Sequence, residues 1–227
     1  MNKVKILWSG ITGRTGQEAL KVIKDNNMAE IVAGICRSNS NYYNYEQLDN
    51  IKEEFDVIVD FSHKDSFDKI LNYAIKMNKP LIIGTAGLTE EQMKAFEKAS
   101  KIIPIFRGGN FRFEVKEFID QIVEYAKNSD NEITLIEEHY VTVPIPSQTA
   151  KVISKRILEE TGKEIKILSS QQRDEDTNYW CVDDIQYKCK AYDEKLANNI
   201  IKIAIMMKDK KPNGVYDLDR LFRENEN

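Results

Sequence analysis

The stretch VKILWSGITGRTG, residues 4–16, decides the fold. Val4 to Trp8 is a short β-type run that gives way to a turn with glycine at positions 10, 13 and 16. From Gln17 to Lys24, Ala19, Leu20 and Ile23 then fall on one helical face. A strand feeding a glycine turn and a helix opens a βαβ nucleotide fold. Small residues let the backbone approach a pyrophosphate, and the helix N-terminus offers amides to its charge. The spacing is G-x-x-G-x-x-G, a variant of the commoner G-x-G-x-x-G, so the setting carries more than the string. The bland alternative is a tight strand-to-helix turn with no ligand.

Outward from this unit the cadence repeats. Ile31 to Ile35, Phe55 to Phe61, Leu81 to Ile83 and Ile102 to Phe106 read as strands, and FDVIVDF (55–61) is apolar enough to be buried on both faces. Helices fall between them: Phe67, Ile70, Leu71 and Ala74 form one stripe, and Glu90 to Ala99 is a second helix with Thr89 as N-cap. The pattern predicts an α/β fold, a Rossmann-like doubly wound parallel sheet. Its loops at 10–16, 84–87 and 107–111 then gather at the carboxyl ends of the strands and line one crevice. Ser38 to Asn50, with Tyr42, Tyr43 and Tyr45 among asparagines, reads as a surface excursion without chemistry. His63 follows the third strand and is expected to cap the next helix or face water.

After Asn110 the pattern changes. A helix is expected over Val115 to Ala126, an alternating strand over Glu132 to Tyr140 and a helix over Ser147 to Glu160. Strands follow over Ile165 to Ser169, Tyr179 to Val182 and Ile185 to Ala191, then a helix over Leu196 to Met207. Separate strands and helices indicate a second, α+β domain on a mixed or antiparallel sheet. An open sheet face and edges favour self-association.

Composition narrows the function classes. A chain of 227 residues needs no disulfide or metal staple, and 41% apolar with 31% charged residues excludes a disordered chain. No apolar run approaches a membrane span and no basic-then-apolar leader opens the sequence, so the expectation is a cytoplasmic protein without membrane partners. With 33 basic residues against 37 acidic ones, a nucleic-acid partner is not expected. Cys36, Cys181 and Cys189 lack C-x-x-C spacing and read as reduced thiols. Only two histidines are present, and no metal site is expected.

The cofactor candidates come from the three loops. Gly10, Thr12, Gly13, Arg14, Thr15 and Gly16 would cradle the pyrophosphate. An NAD site usually places a carboxylate about 20 residues downstream, but residues 34–38 read GICRS. Arg37 and Ser38 suit a 2′-phosphate there, which favours NADPH over NADH. Phe61, Gly84, Thr85, Gly87, Gly109 and Asn110 complete the set: the small residues would let a nicotinamide ring lie against backbone, and Asn110 would orient its carboxamide.

The ordered segments GITGRTG (10–16), FDVIVDFS (55–62), IGTAGLTEEQ (83–92), GGNF (108–111) and GVYDL (214–218) resemble the 4-hydroxy-tetrahydrodipicolinate reductase (dihydrodipicolinate reductase) family. The resemblance implies reduction of a small-molecule cyclic dicarboxylate by NADH or NADPH in lysine and diaminopimelate biosynthesis. It also implies a homotetramer formed through the second domain's sheet and a C-terminal segment returning to the first domain. The implied domains are therefore 1–109 with about 212–227 for the dinucleotide, and 110–211 for substrate and oligomerisation.

The family's active segment, E-x-H-H-x-x-K-x-D-x-P-S-G-T-A, falls on EEHYVTVPIPSQTA, residues 137–150. His139 matches the first histidine, and Pro146, Ser147, Thr149 and Ala150 match P-S-x-T-A. Tyr140 replaces the second histidine, Val143 stands in place of the lysine, the segment is one residue short, and Gln148 replaces the glycine. The resemblance makes His139 the catalytic acid, with Glu137 or Glu138 beside it, and Ser147, Gln148 and Thr149 the substrate turn. Such a donor typically contributes about 10²- to 10⁴-fold in rate. No Lys or Arg lies between His139 and Ala150, so Arg112 is the preferred cation, with Lys151, Lys155 and Arg173 as alternatives. Without the resemblance, His139 reads as a hydrogen-bonded strand histidine. The changes at 140, 143 and 148 keep two other functions open: a catalytically silent dinucleotide-binding paralogue, or a reductase of a different cyclic or imine substrate.

Overall fold

A computed structural model describes residues 2–38, 41–141 and 143–224. Outside the described residues lie Met1, Asn39 and Ser40 of the tyrosine-rich excursion, Thr142 of the active segment, and 225–227 of the C-terminal return. In chain order the elements begin with β1 (Val4–Ser9), α1 (Arg14–Val22), β2 (Ala29–Ile35), β3 (Val57–Asp60), α2 (Lys64–Met77), β4 (Leu81–Ile83), α3 (Glu90–Ala99) and β5 (Ile105–Arg107). There follow α4 (Phe113–Asn128), β6 (Thr134–Tyr140), α5 (Gln148–Thr161), β7 (Lys166–Gln172), β8 (Thr177–Val182) and β9 (Ile185–Lys190). The chain closes with α6 (Glu194–Met207), β10 (Val215–Tyr216) and α7 (Leu218–Arg223). Two compact units result, Met1–Gly108 with Asp193–Asn227, and Gly109–Tyr192.

The first unit is a six-stranded sheet in the order β10-β5-β4-β3-β1-β2, with every pairing parallel. Its central strands bury Ile6, Leu7, Trp8, Val57, Ile58 and Val59 completely, as the continuous apolar run over 55–61 requires for a strand covered on both faces. Helix starts are set by local chemistry. Thr89 and Gln92 form a capping box at α3, and the His63 ring accepts from the Asp65 amide at the start of α2.

Three elements depart from expectation. Ile102 is 55% exposed, in a turn where its amide and that of Ile103 bond the Ala99 carbonyl; β5 begins only after Pro104, which has no amide proton for a sheet ladder. β10 pairs parallel to β5 and extends the sheet by two residues, too few to leave a periodic signal. Helix α6, expected in the second domain, belongs to the first unit: Leu196, Ala197, Ile200, Ile201, Ile203 and Ala204 are buried there as it packs on α1, β1 and β3. The boundary expected at 211 therefore moves to 192.

The second unit is a mixed sheet in the order β7-β6-β8-β9, with β6 and β7 parallel and the other pairs antiparallel. Helices α4 and α5 supply the apolar side of its core, against Leu135, Trp180 and Val182. Strand β6 alternates strictly: Leu135, Glu137 and His139 are buried, whereas Ile136 and Glu138 are exposed.

Candidate functional site

The turn after β1 is shaped by close backbone contacts. Gly10 has φ +80°, and a Cβ there would lie 2.2 Å from the Phe61 carbonyl oxygen; at Gly16 it would lie 2.4 Å from the Ile11 carbonyl oxygen. Both positions need glycine for the turn to form at all. Gly13 is the N-cap of α1 and contributes no side-chain cap, and the first turn of α1 has no acidic residue. The first helical bond runs from the Gln17 amide to the Gly13 carbonyl, so the Thr15 and Gly16 amides precede the ladder and no carbonyl of α1 is placed to receive them. Thr12, Gly13 and Arg14 are exposed around them. This donor set at a positive dipole end fits a pyrophosphate. Arg37 and Ser38, just beyond β2, are exposed as well.

The other loop residues divide between packing and openness. The Phe61 ring stacks on Trp8 at 6.0 Å and fills the space over Gly84, where a Cβ would lie 2.3 Å from the ring. Gly87, at φ +70°, has no atom within 4 Å of its Cβ position and stays open. Thr85 is buried; its hydroxyl accepts from the Ser62 amide at 3.1 Å and donates to Asp60 Oδ2 at 2.7 Å. It thus ties the end of β3 to the end of β4.

Asp60 is fully buried, and burial pushes its carboxyl above the ordinary 3.8 although neighbouring hydroxyls oppose the shift. A carboxyl that holds its proton more tightly when folded loses stability as pH rises through the unfolded value and up to the folded one. Asp60→Asn keeps the acceptor for Thr85 and cannot ionise. It should unfold at higher denaturant than wild type at neutral pH, with the advantage vanishing below about pH 4; an equal gap at both pH values would contradict the assignment.

The excursion after β2 contributes more than its composition promised. The Tyr43 amide bonds the Gly34 carbonyl and the Cys36 amide bonds the Tyr43 carbonyl, adding this segment to the edge of β2. A Cβ at Gly34 would lie 2.7 Å from the Tyr42 ring, and the Tyr45 hydroxyl lies 3.2 Å from Ser9 Oγ at the end of β1. A cavity of about 520 Å³ there is lined by Leu20, Val32, Gly34, Tyr42, Gln47 and Glu53. Tyrosines clustered directly after a nucleotide-fold strand were the available signal.

Gly109 and Asn110, expected to hold cofactor, lie in the second unit against the start of α5. A Cβ at Gly109 would lie 3.0 Å from Gln148 Cγ, and Asn110 Nδ2 donates to Thr149 Oγ1 at 3.4 Å. The structure therefore brings these two together with the substrate candidates. Arg112, the expected substrate cation, is buried, and its Nη2 donates to the Lys190 carbonyl at 2.6 Å. It ties the segment before α4 to the end of β9 instead of facing an open site.

Glu137 is the centre of a buried network. Its Oε1 accepts from the Ser147 amide at 2.8 Å and the Ser169 hydroxyl at 2.6 Å, and its Oε2 lies 2.9 Å from His139 Nε2. His139 Nδ1 lies 2.8 Å from Asn178 Oδ1, and the ring meets Trp180 edge-on at 5.0 Å. Burial pushes the Glu137 carboxyl up, but the hydrogen bonds from His139, Ser147 and Ser169 outweigh it and hold the group down at about 2. An ionised carboxylate can only accept, so Nε2 carries the proton of that bond. Both residues are 0% exposed, and both ring nitrogens are engaged. His139, expected as the proton donor, is thus enclosed among its partners.

Val143 stands at the position where the resemblance implied a lysine. The Val143 amide bonds the Tyr140 carbonyl, and the Gln171 side-chain amide bonds the Val141 and Val143 carbonyls. Among the described residues, no cluster of three or more His, Cys, Asp or Glu is placed to hold a metal, and no helix is long and apolar enough to cross a membrane.

Comparison with known proteins agrees with this architecture. The dihydrodipicolinate reductase N-terminal family matches residues 4–111. A 4-hydroxy-tetrahydrodipicolinate reductase of Caldanaerobacter subterraneus subsp. tengcongensis is 34% identical over 158 residues, covering 68% of this chain and 63% of the relative. That of Buchnera aphidicola subsp. Cinara cedri is 35% identical over 182 residues, covering 68% and 65%. The chain thus spans slightly under two thirds of the length of these relatives. A solved dipicolinate-bound dihydrodipicolinate reductase from Paenisporosarcina sp. TG-14 shares the fold, with TM-score 0.68 at 16% identity over 95% of this chain and 98% of that one. The WlbA dehydrogenase from Thermus thermophilus, solved with NAD and UDP-GlcNAcA, has TM-score 0.55 at 10% identity over 93% and 96%. Sequence identity of about a third across 68% of its length places the chain beyond a likeness of fold: it belongs to the 4-hydroxy-tetrahydrodipicolinate reductase family.

Proposed function

We propose that the chain reduces a cyclic dicarboxylate of the dihydrodipicolinate type with NADPH or NADH, in lysine and diaminopimelate biosynthesis. The observation that carries this reading is the Gly10–Gly16 turn, whose uncapped, acid-free helix start offers amides to a pyrophosphate in a chain of this family. Arg37 and Ser38 would meet a 2′-phosphate. The bound cofactor would supply a hydride. The chain's own part is to bind and orient the acceptor. The amides of Gln148 and Thr149 open α5, whose first turn contains no acidic residue, and Lys151 is exposed beside them. A lysine at a helix N-terminus opposes the dipole until an anion offsets both, which suits a carboxylate of the substrate.

A second reading, binding without turnover, is favoured by the enclosure of His139 together with Val143 at the lysine position. Calorimetric titration with NADPH, followed by cofactor oxidation in the presence of freshly generated dihydrodipicolinate, separates the two. No nucleotide binding removes both readings. Binding without oxidation removes the reductase.

Arg37→Ala should weaken NADPH about 10- to 100-fold, the worth of one charge-assisted hydrogen bond, and leave NADH unchanged. Equal losses for both nucleotides would assign Arg37 elsewhere. Three cysteines outside any disulfide and a reduced nicotinamide suit the cytoplasm. On the open sheet face of the second unit, Ile136 and Leu168 are 46% and 45% exposed, and a second copy of the chain is the occupant assigned to it, building a tetramer. Replacing both with Glu should yield a smaller species by light scattering; an unchanged mass would reject that face.

A further inference from the structure

We propose that Glu137 is a positioning residue for the carboxylate-binding turn of α5, acting through the Ser147 amide while His139 holds the carboxylate in place. The inference rests on the reading that this turn takes a substrate carboxylate. Ser147 is the N-cap of α5, so the direction in which the helix starts is set where its amide meets Glu137 Oε1. The Ser147 hydroxyl in turn accepts from the Ala150 amide at 3.1 Å and from Trp180 Nε1 at 3.3 Å. The amides at 147 and 150 are thereby consumed inside the protein, and among the described residues those of Gln148 and Thr149 are the pair left at the helix start. Asn110 and Gly109 border the same two residues.

The remaining partners fix Glu137 itself. Ser169 on β7 bonds the oxygen that holds Ser147, and His139, two residues along β6, bonds the other. Asn178 on β8 braces the far ring nitrogen. Three strands therefore converge on one carboxylate, whose output is the placement of two amides. The imidazole works as a hydrogen-bond donor to Glu137, a task that a side-chain amide can also perform.

The test uses the full chain with dipicolinate as probe. Glu137→Gln should weaken dipicolinate at least about tenfold and raise substrate KM more than it lowers kcat, as expected for one hydrogen bond to a charged group. NADPH affinity should not change. Hydrogen exchange of the Ser147 and Ala150 amides should speed up by about tenfold or more. His139→Gln, which still donates to Glu137, should keep dipicolinate affinity within about threefold. Should Glu137→Gln fail to fold, Ser169→Ala removes one bond from the same oxygen and should shift affinity and exchange in the same direction. Wild-type affinity and exchange in a folded Glu137 or Ser169 variant would overturn the proposal. So would His139→Gln that loses about 10² or more in kcat with dipicolinate affinity intact, since that marks a proton donor. If wild type binds NADPH but not dipicolinate, the dicarboxylate reading fails, while the exchange measurement still decides the role of Glu137.

Discussion

Gly10→Ala should abolish nucleotide binding and lower the melting temperature by about 4–20 °C. The added methyl would have to occupy a point 2.2 Å from a backbone oxygen, Phe61 O, and 2.7 Å from the carbonyl carbon, in a residue at φ +80°. The left-handed conformation costs an alanine about 1–2 kcal/mol, and overpacking against something that cannot rotate away adds about 1–3 kcal/mol or more. At roughly 2–4 °C per kcal/mol for a chain of this size, the sum gives the stated range. Binding suffers separately, because relief of the clash must move the turn whose amides start α1. Gly87→Ala is the control. It shares the positive φ, but its Cβ would meet no atom within 4 Å, so it should cost only about 1–2 kcal/mol and leave the Gly10–Gly16 turn intact. Thermal unfolding and NADPH calorimetry on both variants check the argument; equal effects at the two sites would refute the steric account.

The second large effect is expected at His139→Leu. Leucine removes the donor at 2.9 Å and leaves a carboxylate with no exposure, and stripping a hydrogen bond from a buried charged group costs about 1.5–3 kcal/mol or more. The pH dependence should change with it. In wild type, Glu137 sits at about 2 against an ordinary 4.5. Its contribution, on the order of 3 kcal/mol, is therefore complete above pH 4.5 and is lost as pH falls toward 2. In the variant the folded carboxyl has lost its largest hydrogen-bond partner, so protonation relieves the buried charge instead of breaking a favourable pair. The stability gap between variant and wild type should then be widest at neutral pH and narrow on acidification. Urea unfolding followed by Trp180 emission in a Trp8→Phe background reports on this unit alone, since those are the two tryptophans. A gap that stays constant from about pH 7 down to about pH 2 would show that Glu137 is not the group responsible.

Much of the site was visible one residue at a time, yet its assembly was not. The alternation over Glu132–Tyr140 already put Glu137 and His139 on one face, and S-Q-T-A after a proline already marked the start of a helix. Nothing local showed that Ser169, Asn178 and Trp180 close around the pair, because they arrive on β7 and β8. Arg112 illustrates the same gap. Two residues after Asn110 it looked like a cation at a rim, whereas the Lys190 carbonyl, 78 residues away, takes its guanidinium.

From the sequence by itself came the parallel sheet, the glycine turn and the identity of the helix starts, since period, β-branching and capping act between neighbours a few residues apart. Tertiary structure alone decided that α6 joins the first unit, that β10 pairs with β5, that Phe61 covers Gly84, and that His139 is enclosed. Those outcomes depend on which surfaces meet after the chain has folded back on itself, and burial of a polar group is settled only by the partners that distant strands bring to it.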